Sequence, residues 1–359
     1  MSLASIEAAE AVADEGRFDA LIDARSPAEF AEDHLPGAVN WPVLDDAQRH
    51  VVGTLYKQVS PLQARKVGAA MVARNIADHL DRWVADQPRQ WQPLVYCWRG
   101  GERSGTLAWF LSQIGFRTAR LQGGYKAFRA LVRAELQTLP LRHRYQVLCG
   151  RTGSAKTRLL HALAGEGAQT LDLEGLAGHR GSVLGARPGC AQPSQKRFDT
   201  LCWHALKRFD AARPVFVEGE SRRIGALRVP EALIVQLREH AQCIHVELDD
   251  PARLQLLLQD YGHFAADADD FCRRLDALAE LRGRDTVKAW QALARAGRWA
   301  EVFGALMRHH YDPLYERSYR NGYQRVGQAR QLRLNDADAP SLQAAARQLL
   351  AAEGGSATM

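Results

Sequence analysis

Short apolar runs alternate with longer amphipathic stretches along most of this chain. FDALIDARSPAEF (18–30) predicts a strand, a turn and a helix start, with Ser26 as cap and Pro27 at the first helical position. HLPGAVNWP (34–42) reads as a loop entering another short strand, and residues 61–87 carry a long helical period. PLVYC (93–97) is a buried strand, followed by a loop and a helix over 103–114. FRTARL (116–121) is the next strand, GGY a turn, and KAFRALVRAEL (126–136) a helix. Strands alternating with helices in this way predict a parallel sheet wrapped by helices.

QTLPLRHR (137–144) is a polar, proline-containing joint, after which YQVLC (145–149) is a strand leading into a glycine-rich loop and a helix from about Lys156. TLDLE (170–174), PVFVEGE (214–220) and CIHVEL (243–248) predict further strands of a second α/β domain. Past Asp250 the period is almost wholly helical, and the alanine-rich tail after Asp338 predicts one helix that then frays. The expected domains are residues 1–138 and 145–359, the latter with a helical extension from about residue 250.

Composition narrows the classes. With 359 residues, 46% of them hydrophobic, the chain can bury ordinary globular cores. It has no run of about 18 apolar residues, and MSLASIEAAEAVADEG at the start is acidic and polar, unlike a signal peptide. The expectation is a soluble, cytoplasmic protein with no membrane partner. Six cysteines without a CxxC pair make a disulfide framework or a zinc site an unfavourable reading, and four or five of them are expected to be buried. No metal ligand set stands out. The formal charge is +6, with 40 Arg against seven Lys. That bias suits an RNA or other polyanion partner, and it equally suits a GC-rich genome.

Two loops carry candidate chemistry. In YCWRGGERSG (96–105), Cys97 ends a strand, Gly100 and Gly101 form the loop, and a helix follows. Backbone amides of such a loop converge on one point, and the helix N-terminus reinforces them. Arg99 and Arg103 add cationic charge that favours a thiolate nucleophile. In CGRTGSAKT (149–157), Gly150, Gly153, Ser154, Ala155, Lys156 and Thr157 form a phosphate loop between strand and helix. Lys156 reaches phosphate oxygens, and Thr157 is placed for Mg²⁺ or a phosphate oxygen. Ala155 stands where glycine is expected, at a cost of about 1 kcal/mol if the backbone there is left-handed. PVFVEGESRRIG (214–225) offers Glu218 and Glu220 in a Walker B-like position, with Arg222 and Arg223 as a clamp for a second phosphate. LDLEGLAGHRGS (171–182) adds Asp172, Glu174, His179 and Arg180 in a loop after a strand, with His179 as a candidate general base.

Residues 18–136 resemble a rhodanese homology domain, through IDARSPAEF, HLPGAVNWP and the cysteine loop with Arg103 and Ser104. The resemblance implies sulfur or selenium carried on Cys97. Here the spacing is C-x5-R, one residue longer than the common C-x4-R, the form found in phosphatase relatives that cradle a tetrahedral anion. The fold class expected is α/β, a rhodanese-like parallel-sheet domain joined to a P-loop NTPase-like α/β domain with a helical C-terminal region.

Taken in order, YCWRGGERS, CGRTGSAKT, LDLEGLAGHRGS and VEGESRRIG, with VVGTLYK (51–57) and YDPLYERSY (311–319), resemble the tRNA 2-selenouridine synthase family over nearly the whole chain. This implies a bacterial transferase that replaces sulfur by selenium in wobble 2-thiouridine of tRNA, with selenophosphate as donor. It also implies transfer of a geranyl group from geranyl diphosphate to that sulfur, giving an S-geranyl intermediate. Cys97 would accept selenium while Arg99 and Arg103 hold the phosphate. No bound organic cofactor is expected. Two alternatives remain on the residues alone: a rhodanese-like phosphatase or arsenate reductase fused to a small-molecule kinase, and a non-enzymatic tRNA-binding module.

Overall fold

A computed structural model describes residues 3–14 and 16–355, without the side chains of residues 318, 320, 321, 354 and 355. Contacts divide it into two compact units. The first comprises Met1–Glu135 with Ser194–Leu201, and the second Leu136–Pro193 with Cys202–Met359.

The first unit holds strands β1 (Ala4–Ile6), β2 (Ala20–Asp23), β3 (Val39–Asn40), β4 (Pro93–Tyr96) and β5 (Ala119–Leu121), in the order β1-β5-β4-β2-β3. Every pairing is parallel. All four residues of β4 are buried, as a central parallel strand covered on both faces requires. Ser26 caps helix Pro27–Glu32 with Pro27 at its first turn, as the sequence predicts. Helix Pro61–Trp83 matches the long period, and a further helix, Asp46–Gln58, covers VVGTLYK. Ile22, Val95, Cys97, Leu107, Ala108 and Leu111 lie in the core between sheet and helices. Ser194–Leu201 comes from far along the chain, yet it packs with this unit. There Thr200 Oγ1 donates to Asp33 Oδ2 at 2.9 Å, and Arg129 pairs with Asp199.

The second unit is built on β6 (Tyr145–Cys149), β7 (Gln169–Leu171), β8 (Val215–Glu218), the hairpin strands β9 (Arg223–Ile224) and β10 (Leu227–Arg228), then β11 (Gln242–Glu247) and β12 (Arg330–Arg333). Its five-stranded sheet is parallel, in the order β12-β11-β6-β8-β7. Two expectations are corrected here. The strand read at 170–174 stops at Leu171, because Asp172 caps a short helix, Leu173–Ala177, by accepting from Gly175 N at 2.7 Å. The joint at 137–144 contains a 3₁₀ turn, Leu139–Arg142, whose Leu139 and Pro140 are buried. Past Asp250 the chain is almost wholly helical, as expected, and the strand there, β12, lies at one sheet edge. Helix Ala339–Gly355 follows, and fraying beyond it falls outside the described residues. One core lies between this sheet and helix Lys156–Gly165, and a second, rich in aromatic residues, lies within the helical region around Phe264, Phe271 and Phe303. Among the described residues no helix is long and apolar enough to cross a membrane. Five of the six cysteines are buried and Cys190 is exposed, in line with expectation.

Candidate functional site

Cys97 sits at the C-terminal end of β4 and is buried, with Ser104 Oγ 3.2 Å from its sulfur. The same hydroxyl lies 3.3 Å from Gly101 O, so its one proton has two acceptors to choose between; turned to the sulfur, it donates to charge developing on the thiol. The loop is braced by the turn at 123–126. Tyr125 N donates to Cys97 O at 2.8 Å and Lys126 N to Trp98 O at 3.0 Å. Gly124 makes this approach possible. Its φ is +60°, and a Cβ there would lie 2.2 Å from Cys97 O and 2.5 Å from Gly100 N. Gly100 has φ +67°, and Gly101 caps helix Glu102–Ile114.

The two arginines of this loop differ. Arg99 is exposed. Arg103 Nη1 donates to Glu29 Oε2 at 2.7 Å, and Arg49 Nε reaches the same oxygen at 2.8 Å. Burial pushes the Glu29 carboxyl up, but the two guanidiniums together outweigh it and hold the group below its ordinary range. Beneath the loop Arg25 is fully buried, bonded to Asp23 Oδ2 and Asp33 O at 2.6 Å each, while Tyr125 Oη donates to Asp33 Oδ2 at 2.9 Å. The acid and base of IDARSPAEF therefore serve as a buried support for the turn that braces Cys97.

The phosphate loop runs from β6 into helix Lys156–Gly165. Ala155 has φ +65°, the only positive φ outside glycine among the described residues. Lys156 Nζ donates to Gly150 O at 2.6 Å and Arg151 O at 3.1 Å, and Ser154 is buried. Thr157 Oγ1 donates to Glu218 Oε2 at 3.1 Å, which joins the loop to the end of β8. Arg253, missed in the sequence, buttresses the loop from the far side. It is buried, donates from Nε and Nη2 to Thr152 O at 3.1 and 2.9 Å, and pairs with Asp312. Asp312 belongs to YDPLYERSY, so that segment anchors the loop. Nothing in the local pattern links position 253 to position 312; only the fold does.

Glu218, Glu220 and Glu174 meet beside Thr157, each offering an oxygen within 4.8 Å of the others. Glu218 Oε1 is buried without a hydrogen-bond partner. Burial first, then the neighbouring carboxylates, raises Glu174 and Glu220 well above the ordinary range; burial does the same for Glu218, against the opposing pull of Lys156 and Thr157. Asp172 receives His161 Nε2 at 2.9 Å. His179 is buried, its Nδ1 accepts from Gly181 N at 3.1 Å, and burial lowers its pKa, ahead of Arg274 and Arg187. Arg180 bonds Asp260 O and lies over the Tyr261 ring at 5.3 Å, fixing the loop to the helical region. Arg222 and Arg223 stand apart from this cluster in their contacts. Both are exposed, and Arg222 pairs with Glu231 at 3.0 Å.

These features define the class. One unit presents a cysteine at a strand-to-helix loop of a rhodanese-like parallel sheet, and the other a P-loop with facing carboxylates. Residues 5–131 match the family model described as a rhodanese-like domain, and residues 143–282 match the one described as the tRNA 2-selenouridine synthase AAA domain. A tRNA 2-selenouridine synthase of Alcanivorax borkumensis is 33% identical over 328 residues, 82% of this chain and 88% of that protein. The protein of that name from Chromohalobacter salexigens is 40% identical over 242 residues, covering 67% of this chain and 64% of its own length. A solved rhodanese-related protein from Thermoplasma volcanium aligns over 36% of this chain and 92% of its own, with 19% identity and a TM-score of 0.24. The chain belongs to the tRNA 2-selenouridine synthase family.

Proposed function

We propose that this chain is a tRNA-modifying transferase that converts wobble 2-thiouridine to 2-selenouridine through an S-geranyl-2-thiouridine intermediate. The observation that carries this reading is the presence, in one member of this family, of a braced cysteine loop and a braced phosphate loop. Two loops of this kind suit two half-reactions. In the first, the nucleoside sulfur attacks C1 of geranyl diphosphate, the C–O bond breaks, diphosphate departs and the N3 proton passes to solvent. Lys156 and the amides of residues 151–157 face the charge growing on the phosphate oxygens. Thr157 with Glu174, Glu218 and Glu220 would hold Mg²⁺, whose preference for hard oxygen donors they fit, and a bound ion would neutralise diphosphate charge. Arg222 reaches a second phosphate on releasing Glu231, an exposed pair worth under about 1 kcal/mol; Arg223 stands beside it.

Alkylation turns the sulfur into a leaving group. In the second half-reaction Arg99 and Arg103 hold the phosphate of selenophosphate while the Cys97 sulfur attacks phosphorus and the P–Se bond breaks. The selenide released adds to the pyrimidine C2, the C2–S bond breaks and geranyl thiol departs with a proton from solvent. Water cleaves the S–P bond to free phosphate and Cys97. The Arg-rich surface neutralises tRNA phosphates. The test is a time course with thiolated tRNA, geranyl diphosphate and selenophosphate, read by mass spectrometry of nucleosides. S-geranyl-2-thiouridine should rise first and decay into 2-selenouridine. Turnover of ATP independent of tRNA, with thiouridine unchanged, would favour the phosphatase–kinase reading instead.

A further inference from the structure

VVGTLYK (51–57) takes part in neither half-reaction as described. It lies on helix Asp46–Gln58, which packs against helix Pro61–Trp83 in the first unit. These two helices and the first turns of helix Glu102–Ile114 enclose a cleft of about 1030 Å³. That is at the upper end of the ~300–1,000 Å³ of small-molecule sites. Val52, Val72 and Phe110 give it apolar walls; Lys57 and Arg65 supply cations, and Arg49 and Arg103 reach its edge while sharing Glu29.

Gly53 opens onto this space. It sits inside a helix with no positive φ, and a Cβ there would meet nothing within 4 Å. Glycine inside a helix costs up to about 1 kcal/mol relative to alanine, and packing at this position does not require it. Gly68 on the facing helix is different, since its Cβ would touch both methyls of Val52 at 3.4 Å. The helix pair is thus close at Gly68 and open at Gly53. A local rule is broken where the cleft lies, as happens at functional positions. The cleft also reaches the cysteine loop. Arg103 lines it, and the adjacent Ser104 donates to the Cys97 sulfur. An apolar trough edged with cations complements an apolar chain carried on a polyanion.

We propose that this cleft receives the isoprenoid chain of the S-geranyl nucleotide while the Cys97 loop acts at C2. The inference rests on the geranylated intermediate proposed above. Geranyl diphosphate offers the same chain, so the test separates the two sources. Full-length wild type, Gly53→Leu and Gly53→Ala would each be given thiolated tRNA with geranyl diphosphate and, separately, purified S-geranyl tRNA with selenophosphate. Leucine projects into the cleft and should slow selenouridine formation from S-geranyl tRNA by roughly tenfold or more, the equivalent of about two lost methylene contacts. Geranylation should stay at the wild-type rate. Gly53→Ala should keep both rates and melt at a higher temperature. Equal selenation by the leucine and alanine variants overturns the proposal, as does a loss confined to geranylation, which would assign the cleft to geranyl diphosphate. Should Gly53→Leu lack a native melt, Ala69→Leu on the facing wall is read in the same way. Wild type that makes no S-geranyl nucleoside contradicts the proposed function. Titration with free S-geranyl-2-thiouridine nucleoside then decides the cleft: binding to wild type and weakened binding to Gly53→Leu support it, and equal binding or none overturns it.

Discussion

At the scale of single residues, Ala155 shows how a sequence departure becomes a structural quantity. The P-loop pattern asks for glycine, and the backbone at Ala155 is left-handed at φ +65°. An L-residue there costs about 1–2 kcal/mol. Ala155 is also part of the core over the sheet, and losing its buried methyl costs about 0.8 kcal/mol. Glycine would further loosen the unfolded chain by about 0.4–1 kcal/mol. The effects offset, so Ala155→Gly should change stability by less than about 1 kcal/mol, whereas Ala155→Val should lower it by about 2 kcal/mol or more; urea unfolding of both variants checks this. A second residue sets a pH response. His310 is buried, accepts at Nδ1 from Arg282 Nε at 3.2 Å, and burial with Arg282 holds its pKa down at about 4. The folded state therefore binds that proton less readily than the unfolded chain. Stability from this group is fully present above about pH 6.5 and lost as pH falls toward 4, on the order of 3 kcal/mol. His310→Gln should flatten the dependence of Tm on pH within that window, and an unchanged slope would contradict the assignment.

At the scale of elements, the legible parts were those with a local signal. β4, β6, β8, β11 and the helices behind the two loops follow from apolar runs bounded by turn residues. β12 escaped because RQLR buries only Leu332 and presents arginines at a sheet edge, where charge is expected but reads as helix in isolation. β1 escaped for a similar reason, three residues of an alanine-rich leader that pair with β5. Cys97, Lys156 and Thr157 were legible because their loops have fixed spacing. Glu29, Gly124 and Arg253 were not, since each meets its partner only across the fold. Glu174, Glu218 and Glu220 were legible singly, but their convergence was not. Gly124 yields a direct test of the cysteine loop. Gly124→Ala would force a Cβ against Cys97 O and Gly100 N. Selenation of S-geranyl tRNA should fall by about 100-fold or more, the scale of a 1 Å misplacement of reacting groups, while geranylation persists. Equal loss of both activities would mean that the substitution unfolds the unit rather than reshaping the loop.

At the scale of the whole molecule, the proposed function divides labour between two loops in one chain. Each loop has its own brace: the Gly124 turn over buried Arg25 and Asp23 for Cys97, and Arg253 with Asp312 for the phosphate loop. Because the braces share no residue, each loop should be open to separate inactivation. The most direct test is mass spectrometry of nucleosides from thiolated tRNA incubated with geranyl diphosphate and selenophosphate and either Cys97→Ser or Lys156→Ala. Cys97→Ser should accumulate S-geranyl-2-thiouridine without 2-selenouridine. Lys156→Ala should leave thiouridine largely unchanged, yet convert supplied S-geranyl tRNA to 2-selenouridine. Full selenation by Cys97→Ser, with geranylation lost instead, would contradict the account.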